Sequence, residues 1–576
     1  MKYKKLGAGL LDAVDDFEAE GDVGLTPHRR ALGVIEGTGA KSARMVVFLH
    51  CEEKAKLEAL EGEGVVINQK HGKVRTAIVA LDQIGELSDH RAIKRIEPAR
   101  FLKPLMDVAP GKVKVPAFKS SSGLTGDGVV VGVVDSGIDP KHPDFAGRIE
   151  RVWDQTLSGN GVSEGAYGLE LSGSLLTTSR DTHGHGTHVA GIAAGAGAVF
   201  GGIAPAARLV VVKTDFQDAH IADGVRYIFR VARELGRPAV VNLSLGGHAD
   251  AHDGTDSLSQ IIDEECGPGR IVCCAAGNEG NDNIHAQVAL GAPATRTSRF
   301  QIPTRTLRTV WLNGWYPGRA RLEVSIRTPR GFTTPFQGVL TNGSFRRVHN
   351  LADAVVTIET PGPDPANNDI NFWVMIRGLN RGPIVGGTWE LRVRNTAAAP
   401  GRLDVWLLDD EDQPTAIFTG ASASDSMKIG SPGSANSALT VASFTTKTAW
   451  TDVDGVSRSL GFPLDTISDF SSEGPLRNNA RKPDVTAPGA VLVSCLSRDS
   501  SGERPFQIDS LYRGMMGTSM ATPFMTGLTA LLLQRDPTLD PTAAKTLIRR
   551  NSRVPGSAAG AFDPKWGFGL IDASGL

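Results

Sequence analysis

VVVGVVDSGID, residues 129–139, is an apolar run that stops on a carboxylate inside a glycine turn. A strand apolar on both faces belongs in the middle of a covered sheet, the setting of parallel α/β folds. Three further runs share its texture: LVVVKTD (209–215), AVVNLSLGG (239–247) and IVCCAAGNEG (271–280). Between the first two of these lies IADGVRYIFRVARELG (221–236), which is helix-like. Strands alternating with helices predict right-handed βαβ units, so the fold class is α/β with a parallel sheet covered by helices on both faces. The texture spans 126–284 and resumes over 426–576, which ends in the helical stretches ATPFMTGLTALLLQ (521–534) and AAKTLIRRNS (543–552).

The segment 285–425 between these halves reads differently. RTVWLNGWY, RLEVSIRT, AVVTIET, NFWVMIRG, GTWELRVRN and RLDVWLLDD alternate apolar and polar residues between turns, with no helix-period stretch among them. That pattern predicts an antiparallel β-sandwich or jelly roll inserted into the α/β unit. Trp311, Trp315, Trp373, Trp389 and Trp406 fall inside it, as expected of a domain with its own core. Towards the N-terminus, RMVVFLH, KAKLEALEG, GVVINQ, KVRTAIVAL, DQIGELSDH and AIKRIEP read as β-α-β-β-α-β, a small α+β domain over 44–101. Residues 1–43 read as a loosely docked arm. Residues 102–125, FLKPLMDVAPGKVKVPAFKSSSG and its continuation, read as an exposed, cleavable linker.

Composition narrows the function. Lys+Arg 61 against Asp+Glu 63 leaves a net charge of -2, which argues against a nucleic-acid partner or a membrane surface held by bulk charge. No apolar run reaches the roughly 18 residues of a membrane span. The amino-terminal stretch does not read as a secretory signal, which predicts cytoplasmic residence or release by a route other than Sec. Five cysteines without zinc-knuckle spacing fit a reducing compartment. Glycine, at 67 of 576 residues, is in excess without a collagen period, so many tight turns or close backbone approaches are expected.

Three glycine-flanked turns carry chemistry-bearing side chains. Asp135 ends the first strand, at the sheet edge where α/β active sites are built; a turn Asp bonding its own backbone is the plain alternative. DTHGHGTHVAGIAAGAG (181–197) crowds His183, His185 and His188 into a turn entering a helix. Those three read as a general base or, less completely, as metal ligands, since no Cys, Asp or Glu cluster completes a zinc set. In RGMMGTSMATPFMTGLTALLL (513–533), Ser519 sits where a helix begins, a place for an N-cap or for a nucleophile beside backbone N–H groups. Serine needs a neighbouring imidazole to take its proton, and the imidazole needs a carboxylate to orient it. Asp, His and Ser in one α/β domain therefore supply the parts of acyl transfer. Asn278, at the end of another strand, supplies an amide donor for the oxyanion.

VVDSGID, HGTHVAG and GTSMATP, in that order, resemble the signatures of the subtilisin-like serine proteases, the subtilases. KPDVTAPG (482–489) and WGFGLIDA (566–573) look like family segments too. The resemblance implies Asp135 as acid, His185 as base, Ser519 as nucleophile and Asn278 as oxyanion donor. It implies Ser244, Leu245, Gly246 and Gly247 as the strand that pairs with a peptide substrate, and Ala275, Ala276 and Gly277 as the opposite wall of the S1 pocket. It implies no required cofactor; calcium, common in the family, finds no clear loop here, and no metal ligands are assigned. The long insertion resembles that of clostridial germination-type subtilases in architecture. The N-terminal domain resembles the inhibitory propeptide of the family, which implies a zymogen cut by Ser519 somewhere within Leu102–Lys119. Two alternatives stand beside the endopeptidase: a pseudoprotease that binds a partner with its propeptide retained, and a processor of one protein gripped by the β insertion.

Overall fold

The structure is a computed structural model, which describes every residue except 1–4, 7–9, 22–33, 36–41, 53, 58–59, 63, 68–73, 99–108, 292, 305–306, 341–344 and 410–414. It comprises two compact units, Met1–Pro104 and Leu105–Leu576.

The larger unit is built on seven parallel strands: β1 (Val130–Asp135), β2 (Ile149–Asp154), β3 (Arg208–Lys213), β4 (Ala239–Leu243), β5 (Arg270–Ala275), β6 (Leu439–Thr445) and β7 (Val485–Ala490). They lie in the order β7-β6-β5-β4-β1-β3-β2. Five helices concern the site: α1 (His185–Ala194), α2 (Asp218–Glu234), α3 (Ser257–Glu265), α4 (Thr518–Arg535) and α5 (Pro541–Arg550). The apolar strands are explained by what covers them. Val131, Val133, Leu209 and Val211 face Val189 of α1, Phe524 and Leu528 of α4 and Ile548 of α5 in one core. Val130, Val134, Val210 and Val212 face Val225 and Ile228 of α2 and Ile262 of α3 in another. Alternate residues of each strand thus point into different cores, and both must be apolar. α4 is buried from Thr518 to Leu533 except at Ser519, which fits its lack of a polar face.

The insertion forms two antiparallel sheets. Six strands run in the order His285–Leu290, Gly401–Asp409, Thr309–Pro317, Asp369–Arg377, Val355–Pro363, Arg346–Asn350. Four more run in the order Leu322–Arg327, Gly387–Asn395, Ala294–Ile302, Ile417–Thr419. Their shared core includes Leu312, Phe372 and Val405 from the first sheet and Phe300, Trp389 and Val393 from the second. The tryptophans are not all core residues of this domain. Trp389 is; Trp315 and Trp406 instead pack with Ala251 and Met427 at the seam with the α/β unit. Trp311 and Trp373 are half-buried. The seam is also polar: Arg477 bridges Asp253 of the α/β unit at 2.8 Å and Asp369 of the insertion at 2.6 Å.

Three expectations need correction. The stretch 109–122 is not an exposed linker but two short helices, Ala109–Lys112 and Val115–Ser122. Ala109, Val113, Val115 and Phe118 are buried in the main core. Four apolar side chains spread over ten residues show no clear period, so tertiary contact decides this segment. Residues 101–108 lie outside the described residues. The arm 1–43 contains a helix, Leu10–Glu20, whose Leu10 and Val14 join the core of the smaller unit. Finally, the described residues of 54–62 form no α-helix. A helix so short is marginal on its own, and Gly62 and Val65 instead close a tight bridge. The smaller unit is therefore a five-stranded antiparallel sheet with helices Leu10–Glu20 and Ile84–Asp89. In its sheet Arg44–Cys51 is bordered by Val74–Ala80 on one edge and by Val34–Ile35 and Ile93–Pro98 on the other.

Candidate active site

Asp135 ends β1 with no exposed surface. Its Oδ1 accepts from the Ser136 N–H at 2.7 Å and lies 2.8 Å from His185 Nδ1, with Oδ2 at 3.0 Å. A carboxylate can only accept, so Nδ1 carries the proton and Nε2 is the basic nitrogen. Among the described residues Nε2 has no hydrogen-bond partner. Burial works against a charged imidazole here, yet the Asp135 charge and hydrogen bond outweigh it and raise the His185 pKa above 6.5.

His185 reaches this position because glycines bring its helix close to the β1 turn. At Gly186 a Cβ would fall 2.2 Å from the Gly137 carbonyl oxygen, so the approach admits no side chain. Asp181 fixes the same turn and was not singled out from sequence. Its carboxylate accepts from Ser136 Oγ (2.9 Å), Gly184 N (2.7 Å), Thr187 N (2.9 Å) and Thr187 Oγ1 (2.6 Å). An Asp just ahead of a Gly and a helix start was the available signal. The other two histidines go elsewhere. His188 is buried and bonds the Arg513 carbonyl at 3.1 Å; burial, with Arg513 nearby, pushes its pKa down to about 3. His183 is exposed. The three do not converge on a metal. His142, Asp144 and Cys495 do lie within metal-ligand distance of one another. Their donors are already engaged: His142 Nε2 with Leu511 O at 2.9 Å, Asp144 Oδ1 with the Tyr512 hydroxyl at 2.9 Å.

Ser519 lies in the first turn of α4, which packs against α1. The turn before it depends on Gly517, whose φ of 146° is open to glycine alone at little cost. The Ser519 hydroxyl donates to Ser244 O at 3.2 Å, and Ser244 Oγ donates back to Ser519 O at 2.8 Å. Asn278 follows β5. Its Oδ1 accepts from Thr518 N at 2.9 Å and Thr518 Oγ1 at 3.0 Å, which fixes the amide orientation and leaves Nδ2 free to donate. The Ser519 N–H, second in the helix, has no intrahelical acceptor.

Leu245, Gly246, Gly247, Ala275, Ala276 and Gly277 line the same cavity as Asn278 and Ser519, with a volume of about 90 Å³. Ser244 lies below it, bonded to Ser519. Gly247 N is committed to Ser431 O at 3.0 Å, whereas Gly246 has no backbone partner among the described residues. A second cavity of about 430 Å³ continues from Leu245–Gly247 and is walled by Ile221, Leu258 and, from the insertion, Trp315 and Asp364.

Comparison with known proteins agrees with this architecture. Residues 126–308 and 389–569 match the subtilase family, and the chain belongs to it. It is 25% identical over 544 residues to the PI-type proteinase of Lactococcus lactis subsp. cremoris, covering 86% of this chain but 27% of that protein. It is 24% identical over 483 residues to serine protease AprX of Bacillus subtilis, covering 81% of this chain and 71% of the relative. The structure of the Clostridium perfringens CspB protease shares the fold, with a TM-score of 0.67 and 23% identity, covering 81% of this chain and 98% of that one. The chain thus spans about a quarter of the length of the lactococcal proteinase. Among the described residues no helix is long and apolar enough to cross a membrane.

Proposed function

We propose that the protein is a serine endopeptidase that hydrolyses peptide bonds through an acyl-enzyme. The observation that carries this reading is the fully buried Asp135 carboxylate holding His185 by Nδ1, which leaves Nε2 as a base. A peptide pairs with the free backbone of Gly246 as an added strand. Ser519 then gives up its bond to Ser244 O, and His185 Nε2 takes the hydroxyl proton as Oγ attacks the carbonyl carbon. Asn278 Nδ2 and the Ser519 N–H receive the oxyanion. The imidazolium returns the proton to the leaving amine, and water, deprotonated by the same nitrogen, releases the acyl group. Substrates are peptides or proteins.

Asn278→Ala should lower kcat by about 10²–10³ with KM nearly unchanged, because the oxyanion exists only after attack; the magnitude comes from subtilisin itself. Steady-state kinetics on a peptide blocked at both ends would check it. A drop expressed in KM alone would contradict the assigned role.

The smaller unit acts, in this proposal, as a propeptide that Ser519 removes. The side chains of Ala109, Val113, Val115 and Phe118 anchor the stretch from 109 in the core of the larger unit, which favours a scissile bond within 102–108 over one further along. Intact mass of the purified chain should show a cut in that interval, absent from Ser519→Ala. Full-length mass in both proteins would refute self-processing.

A further inference from the structure

The endopeptidase reading leaves unused two titratable side chains on the wall of the Ser519 cavity, His248 and Glu279. His248 Nε2 lies 3.3 Å from Glu279 Oε2. Glu279 Oε2 also accepts from Asn278 N at 2.8 Å and Ser472 Oγ at 2.9 Å. Burial opposes the carboxylate charge, but His248 and these donors outweigh it and hold the Glu279 pKa below the ordinary value. The carboxylate is thus a fixed anion at the cavity wall.

The protonation of His248 follows from its other partner. His248 Nδ1 lies 3.0 Å from His252 Nε2. His252 is fully buried, stacks on Trp406 with ring centroids 3.8 Å apart, and points Nδ1 at Asp250 O, 3.2 Å away. A carbonyl only accepts, so Nδ1 of His252 carries its proton. Burial, with His248 and His285 nearby, keeps His252 neutral, and its Nε2 is therefore bare. His248 Nδ1 must donate to it. Were His248 neutral, its Nε2 would then meet Glu279 as one acceptor facing another. With both nitrogens protonated, each contact is a hydrogen bond. Around the pair also lie Asp282, close enough to feel the Glu279 charge, Asp250, whose buried carboxyl is pushed up to about 7, and Arg477 behind His252, already paired with Asp253 and Asp369.

We propose that His248 is a specificity-determining residue: its pairing with Glu279 makes this cavity electrically neutral and selects an uncharged side chain at the residue preceding the scissile bond. The proposal rests on the endopeptidase reading. Without the imidazolium, Glu279 remains held by Ser472 and Asn278 N–H and would attract a lysine or arginine side chain instead.

The test uses two blocked peptides that differ only in leucine or lysine at that residue, with kcat/KM normalised to the fraction of protein labelled at Ser519 by a fluorophosphonate. In His248→Gln the lysine-to-leucine ratio should rise by about tenfold or more, and His248→Gln/Glu279→Gln should bring it back. A labelled His248→Gln with an unchanged ratio overturns this proposal and leaves the endopeptidase standing. Protein that neither labels nor cleaves overturns both.

Discussion

Peptide hydrolysis by Ser519→Ala protein is expected to fall by on the order of 10⁶ in kcat, a magnitude that comes from subtilisin itself. The substitution removes the nucleophile and little else. The backbone N–H at 519, the Asn278 amide and the cavity walls all remain, so substrate should bind with a similar KM and residual turnover would reflect binding and oxyanion stabilisation alone. The hydroxyl makes one hydrogen bond, to Ser244 O at 3.2 Å. Its loss should cost about 1 kcal/mol of stability. Kinetics beside a melting curve separate the two effects: near-complete inactivation at a nearly unchanged Tm. A variant within tenfold of wild-type activity would show that another group attacks.

Asp135→Asn should cost about 10⁴ in kcat, because a neutral amide no longer enforces the tautomer that leaves Nε2 basic, nor stabilises the imidazolium. It also makes a pH prediction with a definite sign. The base must be neutral, so wild-type kcat/KM should be lost as pH falls through the His185 pKa, which lies above 6.5. In Asp135→Asn, burial is opposed by the Asp181 charge alone, and the acid limb should move to lower pH. The same raised pKa contributes stability that is full below 6.5 and lost as pH rises through the folded value. A pH profile whose acid limb stays in place in the variant would contradict the electrostatic role of Asp135.

Much of this was legible from the chain because physical demands converge on single residues. β1 had to be apolar on both faces to separate two cores, and the turn after it had to be glycine-rich for α1 to approach; VVVGVVDSGID displays both. Local patterns failed where distant contact decides. Val113, Val115 and Phe118 follow no period, yet they fill a gap in the main core. KAKLEALEG has helical composition over too few residues to nucleate, while Leu10 and Val14 form a helical face too sparse to stand out. Trp315 and Trp406 read from sequence as core of the insertion, whereas their strands turn these faces to the α/β unit. The His248–Glu279 pair was illegible for a related reason, since only the fold brings its two members together, whereas Asp181 bonds Gly184 and Thr187 of its own turn and carried a local signal.

The central claim is that Ser519 is a nucleophile activated by His185. Its most direct measurement is peptide mapping by mass after exposure to a fluorophosphonate, for the wild type, His185→Ala and Ser519→Ala. One adduct on Ser519 in the wild type, strongly slowed in His185→Ala and absent from Ser519→Ala, is the predicted result. No adduct on Ser519 in wild-type protein already cut within 102–108, or an adduct formed as quickly without His185, would contradict it.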